Sequence, residues 1–502
     1  MSESRPLRLI KEKYKGKKIG LCHGVYDIFH HGHLLHIKNA KLLCDILVLS
    51  LTEDKYVNKG PGRPFHNEDQ RAEILRSIKE VDYVHISRSK TAVEVITELR
   101  PNYYIKGPDY KNLHKDQTGR ILLEKKAIKA VGGQIKFTDD AVKSSTQIYN
   151  SYFAKRSDQE LSVLKELKSK FKLDDIEKIL DKITDSKILV VGEPIIDHYI
   201  YSEARGLSNK SYTVSVGKQD EEKLLGGSLA IAKDLNSLGC KVKILTANLI
   251  DANLKKEIET KLSKKIKWNN IKINDADIPI KSRFVTSNHQ QKLFEVSNIK
   301  NINFWTKSLI TKFKNKIEEL SKDVDIIIVA DYGHGLFNAK VIEKIMSLKK
   351  YIAINTQTNS NNFGFNYFNK YKKFNYLSVD EKEFRLALGK RYGTITNLIK
   401  EALKNNHIKT PFSITAGVDG SYHVNKRKKI FHSPIFFRDV KDTTGAGDAF
   451  YGISTLLTKN KVDSDLLLFI SNCYAGLKCQ YLANKETTSI VDLKRCINSI
   501  FM

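Results

Sequence analysis

The chain has 502 residues, with 85 Lys or Arg against 57 Asp or Glu and a formal net charge of +28. A single hydrophobic core stops growing at roughly 250–300 residues, so two domains or more are expected. The basic residues are dispersed and lack interleaved aromatics, which points to a Lys-rich solvated surface and away from a nucleic-acid partner.

Six cysteines (Cys22, Cys44, Cys240, Cys473, Cys479 and Cys496) include no C-x-x-C pair, so neither a zinc site nor a disulfide framework is expected. Reduced thiols fit a reducing compartment. The opening MSESRPLRLIKEK lacks the apolar core of a signal peptide, and no uncharged apolar run approaches the ~20 residues that span a bilayer. A cytoplasmic protein with no membrane partner is the expectation.

In chain order, residues 18–22 read as a strand, 34–43 as a helix and 46–51 as a second strand. A helix over 69–78 follows, then a strand at 83–86, a helix at 91–99 and a strand at 103–106. A helix over 119–131 and a strand at 135–137 complete the set. This alternation predicts an α/β fold with a doubly wound parallel sheet, occupying residues 1–152. Residues 153–186 carry Leu161, Leu164, Leu167, Phe171, Ile176, Leu180 and Ile183 at helical spacing, read as a helical connector with too narrow an apolar stripe for a core of its own. At Lys187 the run KILVVGEPIID opens a second alternating region, so 187–502 is expected to be another doubly wound parallel-sheet domain.

The run from His23 to His33, HGVYDIFHHGH, follows the first strand and opens a helix. A helix N-terminus offers unpaired N–H groups and partial positive charge to a phosphate. His30 and His33, with Gly32 between them, are the candidates to bind phosphate oxygens. Nucleotidyl transfer needs little beyond positioning, charge neutralisation and Mg²⁺. Asp27 reads as a turn or helix-start residue.

This pattern resembles the H-x-G-H signature of the nucleotidyltransferase superfamily. Arg63-Pro64 leading to Gln70-Arg71, Lys106-Gly107-Pro108-Asp109-Tyr110 and Ser144-Ser145-Thr146-Gln147-Ile148 are similar, in order and spacing, to segments of heptose 1-phosphate adenylyltransferases. The resemblance implies His30 and His33 as catalytic groups at the α-phosphate. It implies Gly24, Tyr26, Asp27, Lys59, Arg63, Gln70, Arg71, Lys106, Gly107, Asp109, Ser145 and Thr146 as nucleotide contacts. The residues leave ATP and CTP open, although the Arg63 and Lys106 segments look adenylyl-type.

Farther along, Asp442-Thr443-Thr444-Gly445-Ala446-Gly447-Asp448 is a glycine-rich turn feeding an apolar helix. Such a turn is a ready anion hole, and a carboxylate there can take the proton of a hydroxyl attacking a γ-phosphate. The segment is close to the D-T-x-G-A-G-D signature of ribokinase-type (PfkB) carbohydrate kinases. That resemblance implies Asp448 as base, Gly445, Ala446 and Gly447 as the anion hole, and Gly417 and Gly420 as a nucleotide loop. It implies Asp197, Gly226, Gly227 and Arg283 as sugar contacts, and Asp380 and Glu383 as residues linked to Mg²⁺. The sequence departs from the family at Ala230 (Asn), His334 (Lys of D-Y-G-K-G) and Asn355-Thr356-Gln357 (D-P-K).

Together the halves resemble the bifunctional heptose kinase–adenylyltransferases of surface-polysaccharide synthesis, with the domain order reversed. The resemblance implies a kinase and nucleotidyltransferase acting on a sugar phosphate with ATP (or CTP) and Mg²⁺, and a homodimer. A CTP-dependent polyol-phosphate transferase and a silent, ligand-binding kinase half are the alternatives.

Overall fold

The structure is a computed structural model and describes residues 7–57, 63–89, 91–107, 120–138, 156–208, 211–248, 250–273, 276–286, 291–299, 304–360, 362–437, 440–482 and 484–501. The chain divides into two compact units: Met1–Ser157 with Lys494–Met502, and Asp158–Leu493.

The first unit is built on β1 (Ile19–Gly24), β2 (Ile46–Thr52), β3 (Tyr83–Ser87), β4 (Tyr103–Lys106) and β5 (Gln134–Phe137), all parallel, in the order β3-β2-β1-β4-β5. Every residue of β2, ILVLSLT, is buried, because a central parallel strand is covered on both faces. Successive side chains alternate between the two layers. Leu21 and Val48 pack with Ile96, Leu99 and Ile128, whereas Cys22, Leu47 and Leu49 pack with Ile37, Ala72 and Leu75. The chain winds from β1 outward in both directions, and β1 pairs with β2 on one side and β4 on the other. A crevice for ligands lies beyond the carboxyl ends of β1 and β4 at such a switch point.

In the second unit the expected connector is two helices, Asp158–Lys170 and Leu173–Thr184. They group with this unit and bury Leu164, Leu167, Ile176, Leu180 and Ile183. The main sheet joins β6 (Lys187–Gly192), β9 (Lys241–Ala247), β10 (Lys267–Ile271), β13 (Ile326–Asp331), β14 (Tyr351–Thr356), β15 (Tyr376–Asp380), β16 (Phe412–Thr415), β17 (Ser421–Val424) and β18 (Ile430–Ser433). Its order is β10-β9-β6-β13-β14-β15-β16-β17-β18, parallel as far as β16 and antiparallel at the last two pairings. A second sheet, in the order β12-β11-β7-β8, interrupts the alternation expected from sequence. It contains the long antiparallel pair β7 (Pro194–Leu207) and β8 (Val214–Gly227), with β11 (Ile280–Thr286) and β12 (Lys292–Ser297). β6 and β7 are separated by Glu193 alone, so the smaller sheet starts where the larger one ends. The fold class is α/β with parallel sheets, as the sequence implies.

Candidate active sites

The helix His31–Leu42 leaves β1 with His30 as its N-cap, and the His30 Nδ1 accepts the Gly32 N–H at 3.1 Å. The rings of His30 and His33 stack with centroids 4.0 Å apart, and Tyr26 sets its edge against His33 at 5.6 Å. Tyr26 is buried and Ile28 follows it; both hold left-handed backbone at φ +52° and +49°. That conformation is costly for bulky or β-branched residues and marks a loop fixed by its surroundings. Lys106 and Gly107 end β4 on the other side of the crevice, so the sheet order brings both motifs to one place. Lys106 is 7% exposed; its Nζ lies 3.4 Å from Glu124. Burial alone would raise the Glu124 carboxyl, but Lys106, the Ala92 N–H and the Tyr104 hydroxyl hold it below the usual glutamate range.

Several residues expected to touch nucleotide also hold the protein together. Asp27 is fully buried and accepts Arg63 Nε and the N–H groups of Phe65 (2.9 Å) and His66 (3.2 Å). Burial opposes ionisation of Asp27, but Arg63 and these donors hold its carboxyl below the ordinary aspartate range. Gln70 forms a capping box with Asn67 at the start of the helix Glu68–Arg76. Arg71, 1% exposed, donates to His66 O (3.0 Å), Val25 O (2.5 Å), Thr52 O (2.9 Å) and Asp54 Oδ1 (2.5 Å). These side chains brace the loops around the histidines, with Arg71 as the clamp between them. Lys59, Asp109, Ser145 and Thr146 lie outside the described residues.

Arg71→Met strands three main-chain carbonyls, of Val25, Thr52 and His66, and removes the cation beside Asp54. We expect a loss of about 3 kcal/mol in the first unit, or roughly hundredfold faster amide exchange. Hydrogen exchange of β1 and β2 in the full chain is the measurement, because both tryptophans, Trp268 and Trp305, lie in the second unit.

In the second unit the helix Ala446–Lys459 starts after a turn whose Gly445 adopts φ +84°. A Cβ at Gly445 would come within 2.4 Å of Asn484 Oδ1, so glycine is required twice over. The first N–H groups of a helix have no intrahelical acceptor, which leaves this start free to hold an anion. Asp448 stands in that first turn, 8% exposed, and accepts the Tyr332 hydroxyl at 2.9 Å and the Gln357 amide at 2.6 Å. Burial lifts its carboxyl to about 7, against the pull of those two donors. It faces a cleft of about 570 Å³, lined also by Asn355, Glu383, Gly417, Gly420 and Gly447. That volume suits a small ligand.

A family model for pfkB carbohydrate kinases matches residues 185–481, more than half of the chain. The chain belongs to the pfkB family of carbohydrate kinases. A cytidylyltransferase-like model matches residues 21–151, so the chain joins a nucleotidyltransferase-like part to a carbohydrate-kinase part in that order. Among curated proteins it is similar to the bifunctional protein HldE of Aliarcobacter butzleri, 40% identical over 131 residues (26% of this chain and 27% of that protein). The HldE of Syntrophotalea carbinolica is 34% identical over 130 residues, 26% of this chain and 25% of that protein. The chain thus spans about a quarter of the length of these relatives, within the nucleotidyltransferase part. Escherichia coli phosphofructokinase-2 in complex with potassium is similar in fold, with TM-score 0.51 and 11% identity over 63% of this chain and 99% of that one.

The pfkB part places the remaining expected residues as follows. Asp197 on β7 accepts Arg283 Nη1 from β11 at 2.5 Å, and Arg283 Nε lies 2.9 Å from Glu295. Gly226 must lack a side chain, because a Cβ there would sit 2.4 Å from Asp197 Oδ2. Gly227, at φ +57°, would collide with Glu193 O. Gly420, at φ +85°, would meet Ser433 O at 2.1 Å. Ala230 is buried in the helix Ser228–Ser237. Asp442, just before the turn, takes Lys292 Nζ of β12 at 3.0 Å and so ties the small sheet to the anion hole.

Asp380 and Glu383 are capping groups of the helix Glu381–Leu388. Glu383 accepts the N–H groups of Thr358 and Asp380 at 2.9 Å each, and burial pushes its carboxyl up to about 7. Among the described residues no three His, Cys, Asp or Glu side chains converge as a metal cluster. Sequence reasoning missed Glu193, which accepts the Tyr332 and Leu336 N–H groups at 2.7 and 2.8 Å and so holds the D-Y-G loop under Asp448. It also gave Tyr332 no contact with Asp448. The Glu193 contacts follow from β6 and β13 being neighbours, which the strand order reveals. No described helix is long and apolar enough to cross a membrane.

Proposed function

We propose that the chain carries out two consecutive steps of nucleotide-sugar synthesis. The pfkB part phosphorylates the anomeric hydroxyl of a phosphorylated sugar with ATP. The nucleotidyltransferase-like part then transfers AMP to the new sugar 1-phosphate and releases pyrophosphate. The observation that carries the reading is Asp448, intact at the start of its helix, lifted to about 7 and opening on the cleft. A base near the working pH is the kind that takes a hydroxyl proton as attack proceeds.

The open helix start and Gly445 to Gly447 take the γ-phosphate, and Asp197 with Arg283 orients the sugar. Mg²⁺ bound with the nucleotide would supply charge neutralisation at its phosphate oxygens. Glu383, which lines the cleft, would be the carboxylate to share that charge. Asp380 stands beside it at the helix start. In the other site His30 and His33 stabilise charge at the α-phosphate, and Lys106 with Gly107 closes the nucleotide side. The Arg63-Pro64 to Gln70-Arg71 and Lys106-Gly107 segments, similar to those of heptose 1-phosphate adenylyltransferases, favour a heptose phosphate and an adenylyl donor.

Two copies pair through the small sheet. Phe284 and Phe294 stack there at 4.4 Å on the same face as Val296, and Phe294 and Val296 remain 40% and 55% exposed. A protein drawing on the ATP pool for both steps belongs in the cytoplasm.

The test incubates the purified protein with Mg²⁺, each nucleoside triphosphate in turn and a panel of sugar 7- and 1-phosphates. Mass spectrometry follows the products. ADP from the 7-phosphate, and pyrophosphate with an ADP-sugar from the 1-phosphate, are expected. Pyrophosphate with CTP alone would overturn the adenylyl assignment, and no ADP from any sugar would overturn the kinase.

A further inference from the structure

A carboxylate has two oxygens, and a base that must meet one hydroxyl works best when only one of them is available. In Asp448 both hydrogen bonds fall on the same atom. Oδ1 accepts the Tyr332 hydroxyl at 2.9 Å and the Gln357 Nε2 at 2.6 Å. Among the described residues no hydrogen bond reaches Oδ2.

The two donors are placed by neighbouring strands. β13 and β14 run parallel with Asp331 opposite Thr356, so the next residues, Tyr332 and Gln357, leave the sheet side by side beneath the helix start. The Gln357 main chain is itself pinned: its N–H donates to Asp331 O at 2.8 Å, and its carbonyl accepts Asn366 Nδ2 at 3.0 Å. The amide therefore reaches Asp448 from a fixed base and loses little freedom in doing so.

We propose that Gln357 is a positioning residue of the kinase step, acting with Tyr332 to hold Asp448 Oδ1 so that Oδ2 alone receives the proton of the attacking sugar hydroxyl. As that proton moves to Oδ2, the sugar oxygen forms its bond to the γ-phosphorus. The bond from the γ-phosphorus to the bridging oxygen breaks, with its electron pair leaving on ADP, and the proton then returns to solvent. The inference rests on the kinase reading above.

The choice of an amide has a chemical consequence. A lysine at this position would bring a full positive charge to the carboxylate and weaken it as a base. Gln357 supplies the hydrogen bond without the charge. Among the charged and titratable groups around Asp448, Asp197 and Asp234 act to raise its carboxyl. Lys281 of β11, Glu383 and Tyr451 also face it, with Tyr332.

The experiment compares the full-length wild type with Gln357→Ala, Gln357→Glu and Tyr332→Phe. Gln357→Glu keeps the size of the side chain, so a packing defect does not account for its effect. The rate of ADP formation at saturating substrates is followed from pH 5 to 9. Losing a donor to a charged acceptor shifts the acid limb of kcat upward by about one unit in Gln357→Ala and further in Gln357→Glu, with KM for ATP within about twofold. In parallel, the stability difference between each protein and its Asp448→Asn derivative over the same pH range reads the titration of Asp448 without turnover. Its inflection moves with the kinetic limb. An active enzyme in which neither moves, or in which only KM changes, overturns the inference and leaves the kinase reading standing. A wild type that forms no ADP overturns both.

Discussion

Asp448→Asn lowers ADP production by about a thousandfold, within the usual range for loss of a general base, while the protein folds at least as firmly as before. Asparagine keeps an oxygen for Tyr332 and Gln357, so the geometry of the turn survives and only the proton acceptor is lost. In the wild type the rate falls as pH drops through about 7, where burial has placed the carboxyl. The same shift sets a stability trend with the opposite sense from a salt-bridged aspartate. Between the ordinary aspartate value, roughly 4, and about 7 the folded chain retains a proton that the unfolded chain has released. Stability from this group therefore declines as pH rises through that window and is level above it. The asparagine variant lacks the decline and exceeds the wild type at pH 8 but not at pH 4. Coupled assay of ADP and urea midpoints at the two pH values check both halves. A variant within tenfold of wild-type rate would mean that the proton goes elsewhere.

What the sequence disclosed of this site follows from how local each feature is. Thr443 to Asp448 is a contiguous turn and helix start, and its residue types dictate its backbone, so its role is readable without tertiary information. The parallel strands are equally plain: β2 and β13 are mostly apolar runs, buried throughout, because both their faces are covered. The small sheet is not plain. β7 and β8 carry PIIDHYIYSEARGL and VSVGKQDEEKLLGG, polar over their outer halves, and only the pairing of Pro194 with Gly227 shows the ends meeting. The pattern therefore resembles a loop unless the partner strand is known.

The site residues divide in the same way. His30, His33 and Asp448 stand where their motifs put them. Asp27, Gln70 and Arg71 belong to matched motifs too, and each makes hydrogen bonds within the protein, to Arg63, Asn67 and the loop carbonyls, that the motifs do not announce. A motif specifies a residue type, not the partner that type finds once the chain has folded. Gln357 shows the converse. As a departure from D-P-K it suggests a damaged site, but the parallel register of β13 and β14 sets it on the same oxygen as Tyr332.

Lys478→Met is expected to cost about 3–5 kcal/mol. Lys478 ends the helix Ser464–Lys478 with its side chain 1% exposed, and its Nζ lies 2.8 Å from Asp234 Oδ1 in the helix Ser228–Ser237. A second bond reaches Glu486 O at 3.1 Å, while Asp234 Oδ2 has no hydrogen-bond partner. Methionine fills the lysine volume but leaves the buried Asp234 carboxylate without its hydrogen-bonded cation. The cost is therefore that of the stranded charge more than of the lost attraction. Replacing both partners, as Asp234→Leu with Lys478→Met, removes the charge as well and returns the protein to within about 2 kcal/mol of wild type. Urea unfolding followed by tryptophan emission reads this unit directly, since Trp268 and Trp305 both belong to it. Raising the salt concentration leaves the single-variant loss unchanged, because a buried pair is hardly screened. A loss below about 1 kcal/mol, or a double variant worse than the single, would show that the two helices are held by apolar packing alone and that the pair contributes nothing net.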